Sequence, residues 1–396
     1  MDTVEASAAR NHRLRAHHLD GRVLLGRVEE VVGACGVQNS PPGAWETALW
    51  NRVENCTLGA IREALYERKS LLQAWSYRGA PVVFPTDQSD VFLGSLIARA
   101  GEDPWIYTLG ITGALDHLQM PFDDLFNRTK AAVGYLDGHT VRSKEALDAT
   151  IAELIERDLP FDRKARWRDP SMYGDPERQT VGQAAVSFLL RPCSFSSLVV
   201  FGERQESSPT FTSFENWIGH APDRIPDADR ELVRRFVHCY GPTTLDSLRA
   251  WLGSSRKQAR RLWEAASEEM EPVRFEGKTC FALSSDRESL LDASDCTARL
   301  LLLGAHDPYL DLRDRNVILQ DRSLQKLVWK YVGNPGAILD GGKVVGIWKT
   351  KAIKGKIDVS MTLWDDTPHV KRKQLVALAE QYAAFRSLEL RNFQLR

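Results

Sequence analysis

Between Pro226 and Asp286 the chain passes through three helical hydrophobic periods and then two strand-length runs, an order that few folds accommodate. Residues 227–240 place Leu232, Val233, Phe236 and Tyr240 on one helical face, and Gly241-Pro242 stops that helix. Thr243, with Asp246 three residues on, caps a second helix whose Leu245, Leu248 and Leu252 share a face until Gly253. Ser254 or Ser255 caps a third, with Ala259, Leu262, Trp263 and Ala266 inward and Arg256, Lys257, Arg260 and Arg261 on its other faces. The runs 273–275 and 280–282 flank Glu276-Gly277-Lys278, a tight hairpin turn. This is the outline of a winged helix-turn-helix, in which the third helix suits a DNA major groove and the wing touches the backbone. A helical domain with a chance hairpin is the alternative.

The same order recurs without repetition of the residues. Helices are predicted at 20–33, 44–53 and 58–69, followed by strands at 71–77 and 81–84 around Arg78-Gly79-Ala80. A looser copy has helices at 122–136, 143–157 and 180–190, a Pro-rich polar linker at 159–179, and strands at 197–201 and 209–214. The last hundred residues differ. A strand at 298–303 and a helix at 321–331 precede a hairpin of 337–340 with 343–349 around Gly341-Gly342, then a strand at 357–363 and a helix at 369–388. The expected fold is therefore α+β, with about three tandem winged helix-turn-helix units and a C-terminal α+β region carrying a β-hairpin. The segments are 1–100, with a candidate active-site loop, 101–220, 221–290 and 291–396.

At 396 residues, 43% hydrophobic and 27% charged, the chain has the composition of a multidomain globular protein rather than a disordered one. No apolar run is long enough for a membrane span and the N-terminal stretch lacks the apolar core of a signal peptide, so a cytoplasmic protein is expected, nucleoid-associated if bacterial, with no membrane partner and as a monomer. Cys35, Cys56, Cys193, Cys239, Cys280 and Cys296 show neither a CxxC pair nor zinc-finger spacing, which predicts reduced thiols, no structural metal and no cofactor. A net charge of -1 excludes a protein coated in cations, so local patches must supply any phosphate contacts. Two stand out: the basic helix around Arg256, Lys257 and Arg260, and residues 343–356 (KVVGIWKTKAIKGK), with five lysines and no acid. Either is a phosphate-contacting surface or a solvated face.

Seven short motifs run in order along the chain. They are Gly36-Val37-Gln38 with Ala48-Leu49-Trp50-Asn51-Arg52 behind it, residues 71–79 (LLQAWSYRG), Tyr240-Gly241-Pro242-Thr243, Trp251-Leu252-Gly253, Asp307-Pro308-Tyr309-Leu310, and residues 341–348 (GGKVVGIW). In this order the chain resembles the AlkZ-type (YcaQ-like) winged-helix DNA glycosylases over roughly residues 20–365. The resemblance implies a metal-free enzyme on damaged duplex DNA, with an active-site signature Gln-x-Gln or Gln-x-Asp after the first helix. Here those positions read Gln38-Asn39-Ser40, so the first Gln is present and a serine stands at the second site. The family's Arg-Gly motif often continues with a histidine, whereas this chain reads Arg78-Gly79-Ala80.

Hydrolysis of a base from its sugar passes through an oxocarbenium-like state, which an enzyme assists by placing a water and stabilising positive charge on the sugar. A purine alkylated on N7 leaves as a neutral group and needs little general acid, so amides and a hydroxyl can suffice. Gln38, Asn39 and Ser40 are the candidate catalytic residues; Glu46, in the next helix, is either a substitute base or a solvent-facing glutamate. Gln38 also has a reading as a helix-capping amide, and Ser40 as turn chemistry before Pro41-Pro42. Candidate DNA contacts are Arg52, Arg78, Arg256, Lys257, Arg260, Lys343, Lys349 and Lys351, with Gly341-Gly342 allowing close approach to a groove and Trp348 either core or base-stacking. A noncatalytic winged-helix DNA-binding protein, a regulator or lesion sensor, is the second reading. An enzyme on small molecules has no Gly-rich phosphate loop, metal cluster or Ser-His-Asp pattern to support it.

Overall fold

The computed structural model describes all residues except 103–108, 293, 295–297, 365–366 and 368, so Cys296 lies outside the described residues. Helices, 3₁₀ turns and three sheets make up a mixed α/β chain. Its residues group into two compact units, each assembled from separated stretches: 1–64 with 233–247 and 266–396, and 65–232 with 248–265.

The second unit is built on strands Pro81–Pro85, Leu71–Trp75, Val200–Gln205, Ser208–Thr212 and Val141–Arg142, in that order. Two hairpins expected as independent wings are here one sheet, because Gln73 pairs with Phe201. Trp75 explains the join: its ring stacks on Phe211 at 5.2 Å and meets Phe201 edge-on at 5.0 Å, burying a large apolar surface that neither hairpin could cover alone. Helices Phe122–Val133, Lys144–Arg157 and Val181–Phe195 form where helices were expected, and Leu125, Ile151, Leu189 and Leu190 join Trp75 in one core. Ser143 and Thr180 cap the second and third through backbone amides of Ala146 and Gln183. The polar stretch 159–179 contains a helix, Phe161–Trp167, whose polar face hid its one buried anchor, Trp167.

The first unit begins with a helix absent from the sequence reading, Ala6–Ala16. Its hydrophobic period is masked because it is buried with its polar residues: Asn11, His12 and Arg13 are all inside. Arg13 donates to the carbonyls of Tyr240, Gly241 and Pro242 and to Asp314 at 2.7–3.2 Å, so the guanidinium gathers a chain reversal. The predicted helix 20–33 shrinks to a 3₁₀ turn, Leu25–Arg27, and Val28–Gly33.

A five-stranded sheet completes this unit: Glu389–Leu395, Lys356–Leu363, Lys343–Ile353, Gly336–Asp340 and Leu300–Leu303. The lysine-rich segment is longer than expected, and has two turns. At Gly341-Gly342 a Cβ on Gly342 would fall 2.9 Å from Arg10 and Leu14, so this turn packs on the first helix rather than presenting a groove-binding edge. The other, at Lys354-Gly355, joins strands that pair from Gly346↔Leu363 to Ile353↔Lys356. Trp348 is core, its indole donating to the Leu303 carbonyl at 2.7 Å. A parallel strand, Glu389–Leu395, follows the closing helix Arg372–Phe385. Among the described residues no helix is long and apolar enough to cross a membrane.

The order of three helices and a hairpin expected at 226–286 is present as Ala228–Tyr240, Leu245–Leu252, Arg256–Ala265, Met270–Phe275 and Lys278–Leu283, with Glu276 and Gly277 both in the left-handed region.

Burial pushes the His12 imidazole down to about 4 against the opposing pull of Asp286, while its Nε2–H donates to the His238 carbonyl at 2.8 Å and Nδ1 faces the Ser289 hydroxyl at 3.0 Å. His17 is pushed well down by the same cause, with Arg52 adding to it. The unfolded chain takes up protons that these folded imidazoles refuse. Stability is therefore expected to fall as pH drops from about 6.5 towards 4, by on the order of 3 kcal/mol from His12 alone. Urea unfolding across that range checks this, and His12→Gln should flatten the slope; an unchanged slope in the variant would refute the assignment to His12.

Candidate active site

The loop that carries Gln38 leaves a two-residue strand, Val37–Gln38, and enters the helix Ala44–Arg52 through Gly43, whose backbone is left-handed. Asn39 is buried, and its Oδ1 accepts the Gly43 N–H at 2.7 Å, which closes the loop across four residues. Gln38 and Ser40, on either side, are half-buried. The three candidate catalytic residues thus divide: Asn39 shapes the turn, whereas Gln38 and Ser40 are the partly exposed members of the loop.

Glu46 is neither a solvent-facing glutamate nor an open base. Its side chain is only 6% exposed; Oε1 accepts from Arg62 Nε and Nη2, both at 2.8 Å, and Oε2 from Arg386 Nη1 at 2.5 Å. The sequence pattern did not flag either arginine, because they lie 16 and 340 residues from Glu46 and no local period links them. Arg386 reaches this point because its helix packs on Ala44–Arg52: Tyr382 meets Trp50 at 5.3 Å, its hydroxyl lies 3.2 Å from Thr47 Oγ1, and Phe385 stacks on Trp50 at 6.0 Å.

Arg52 was expected on DNA; the structure encloses it. Its side chain is 2% exposed and holds Asp307 through two parallel bonds of 2.7 and 2.8 Å, while Nε donates to the His17 carbonyl. Asp307 in turn caps the Pro308–Leu310 turn by accepting from Tyr309 N–H. No edge of this guanidinium is left for a phosphate. Arg78 sits at a left-handed turn in the second unit, donates to the Trp251 carbonyl at 3.0 Å and lies 5.4 Å over the Tyr77 ring. Arg256, Lys257 and Arg260 are exposed on their helix, with Lys257 on the Gly101 carbonyl at 3.2 Å, whereas the neighbouring Arg261 is taken by Glu102 and Asp229. Lys343, Lys349 and Lys351 are exposed; Lys349 and Lys351 lie on one face of the ribbon that turns at Lys354, a lysine the shorter hairpin left out.

Two groups among the described residues come within ligand distance of one another, each set of ligand atoms inside 4.8 Å: His17, Cys35 and Cys239, and His12, His238 and Asp286. Protein partners already occupy these groups, with His238 Nδ1 on the Asp286 carboxylate at 3.0 Å. Cys239 donates to the carbonyls of Ala16 and Ala34, and both nitrogens of His12 have protein partners. The five described cysteines are free thiols, four of them buried; burial pushes Cys193 up to about 12.

A polar loop pinned in an α/β unit, in a chain that also carries exposed cations on a helix and on a ribbon, suits the class of enzymes that work on nucleic acid. The chain belongs to the AlkZ-like DNA glycosylase family, whose model matches residues 31–385. Among known proteins it is 24% identical over 360 residues to the interstrand DNA cross-link repair glycosylase of Streptomyces sahachiroi, covering 85% of each chain. The solved structure of Streptomyces sahachiroi DNA glycosylase AlkZ superimposes with a TM-score of 0.76 over the whole of both chains, at 20% identity. The chain is thus an enzyme of the hydrolase class, and the family implies DNA binding.

Because Arg52 and Asp307 are both enclosed, Arg52→Met should cost about 3 to 5 kcal/mol by stranding a buried carboxylate. Denaturant melts check it, and Arg52→Met with Asp307→Leu should recover much of the loss; equal loss in both would show that the packing, not the charge pair, matters.

Proposed function

We propose that this chain excises N7-alkylated purines from duplex DNA by hydrolysing the N-glycosidic bond, with Gln38 and Ser40 orienting the attacking water. The loop carries this reading: its middle residue is buried and fixed on Gly43, while the residues on either side are half-exposed. Such an alternation presents an amide and a hydroxyl as one preorganised pair. The leaving base is cationic before cleavage and neutral after it, so the site need not protonate it. Neither group is a strong base; the oxocarbenium character of the sugar makes water a sufficient nucleophile once placed.

The helix-helix-helix-hairpin stretches act as winged-helix units that grip the duplex, with Arg256, Lys257 and Arg260 on one helix and Lys343, Lys349 and Lys351 along the ribbon neutralising phosphates. Opening of an interstrand cross-link, the role in the name of the Streptomyces relative, is the larger substrate that we extend to this chain. The enzyme leaves an intact abasic site, because water rather than a lysine amine attacks the sugar.

Incubation of the protein with duplex DNA carrying one N7-methylguanine tests the proposal. Free base and an abasic site cleavable only by alkali are expected, with single-turnover rates lowered about 10²-fold by Gln38→Ala and at least about 10-fold by Ser40→Ala. No base release by the wild-type protein, or an unchanged rate in Gln38→Ala, would overturn it and favour a noncatalytic lesion sensor.

A further inference from the structure

Glu46 has one more cation than it needs. A carboxylate taken out of water requires a counter-charge, and a single arginine supplies it. Here two guanidiniums share one anion, so the group carries a surplus positive charge. The surplus is not buried: the Arg62 side chain is 48% exposed and that of Arg386 25%, against 6% for Glu46. Pairs with such exposed arms contribute little to stability on their own, so balancing the fold does not explain the second arginine.

The position is as informative as the charge. Glu46 lies in the first turn of the helix that the Gln38–Ser40 loop enters. A Cβ on Gly43, at the end of that loop, would lie 3.2 Å from Glu46 Oε2 and 3.6 and 3.7 Å from the two terminal nitrogens of Arg386. A side chain at the end of the loop would therefore meet the Arg386 guanidinium and the carboxylate that Arg62 shares with it. Gly43 has φ +90°, and the missing side chain leaves the approach to the guanidinium open.

We propose that Arg62 and Arg386, oriented by Glu46, form a clamp for a backbone phosphate of the DNA strand whose nucleotide occupies the Gln38–Ser40 loop. The chemistry fits an anion of that kind. A guanidinium has five N–H donors in a planar fork; Arg62 spends two named donors on Glu46 and Arg386 one, and the exposed edges retain a geometry matched to phosphate oxygens. Glu46 acts as a positioning residue, fixing both side chains before the anion arrives and so reducing the entropy lost on binding. Charge balance supplies a further reason for its presence. Two bare arginines beside a sugar that develops positive charge would oppose the reaction, whereas Arg62, Arg386, Glu46 and one phosphate sum to zero. The clamp can hold the strand without raising the barrier.

This inference rests on the glycosylase reading for the identity of the strand, and the test separates the two. Binding of the full chain to a duplex with one tetrahydrofuran abasic-site analogue is followed by fluorescence anisotropy between about 50 and 200 mM salt. Arg62→Gln and Arg386→Gln are each expected to weaken binding about 5- to 20-fold at the lower salt and to reduce the slope of log K against log salt by about one, while Arg62→Lys retains most of the slope. Thermal melts of the same variants report folding. A melt lowered with an unchanged salt slope would show that the arginines serve only the fold and would overturn the clamp. Unchanged melts and an unchanged salt slope, with only a loss of inorganic phosphate binding in Arg62→Gln and Arg386→Gln, would overturn it as well, since the site would then serve a free anion. If the wild-type protein binds this duplex but releases no alkylated base, the glycosylase reading fails while the slopes still decide the clamp.

Discussion

The buried pair of Arg52 and Asp307 holds the first unit together at its most demanding point. Two opposite charges leave water completely, which is tolerable only with parallel bonds and with the remaining donors and acceptors satisfied. Arg52 meets that condition by reaching the His17 carbonyl and the Ala48 carbonyl, and Asp307 by accepting from Tyr309. Three stretches far apart in sequence are thereby fixed to one another: the end of the first helix, the helix that follows the candidate loop, and the turn after the strand Leu300–Leu303. The loop carrying Gln38 inherits its rigidity from this arrangement, because the helix it enters cannot rotate without breaking the pair.

The candidate site is built in layers of decreasing burial. Arg52 is enclosed, Glu46 nearly so, Arg386 a quarter exposed and Arg62 half exposed, along a single helix and its neighbours. Two separate charge groups thus share this helix, the enclosed Arg52 balanced by Asp307 and the nearly enclosed Glu46 held by two arginines that reach the surface. The neutral loop residues sit beside this series. Amide and hydroxyl groups can hold a water without perturbing the electrostatics of a reaction that makes a cation, which a free carboxylate or lysine would do strongly.

The sequence revealed elements whose signals are local. Helices such as Lys144–Arg157 and Ala228–Tyr240 and the hairpin at Glu276-Gly277 announced themselves by period, cap and turn residues. Ala6–Ala16 did not, since its buried face is made of Asn11, His12 and Arg13, which a hydrophobic count reads as surface. The merged sheet was equally invisible: the pairing of Gln73 with Phe201 is set by how Trp75 packs, not by anything within either hairpin. At the candidate site, Gln38 was singled out by motif and Ser40 as the departure from it, while Asn39 shapes the turn. Arg52 was misjudged because an arginine in a helix resembles a surface cation until its partner, 255 residues away, is seen. Arg62 and Arg386 escaped for the same reason.

The distance in sequence between Glu46 and Arg386 sets an order of events in the making of the protein. With 340 residues between them and synthesis at about 5 to 20 residues per second, roughly 17 to 70 seconds separate their appearance at the ribosome. During that interval the Glu46 carboxylate has Arg62 alone for company, and the helix bearing Trp50 has no Tyr382 or Phe385 to cover it. Until the closing helix is made, Trp50 therefore stays uncovered beside the nascent loop, and the site takes its final form only in the last stage of folding.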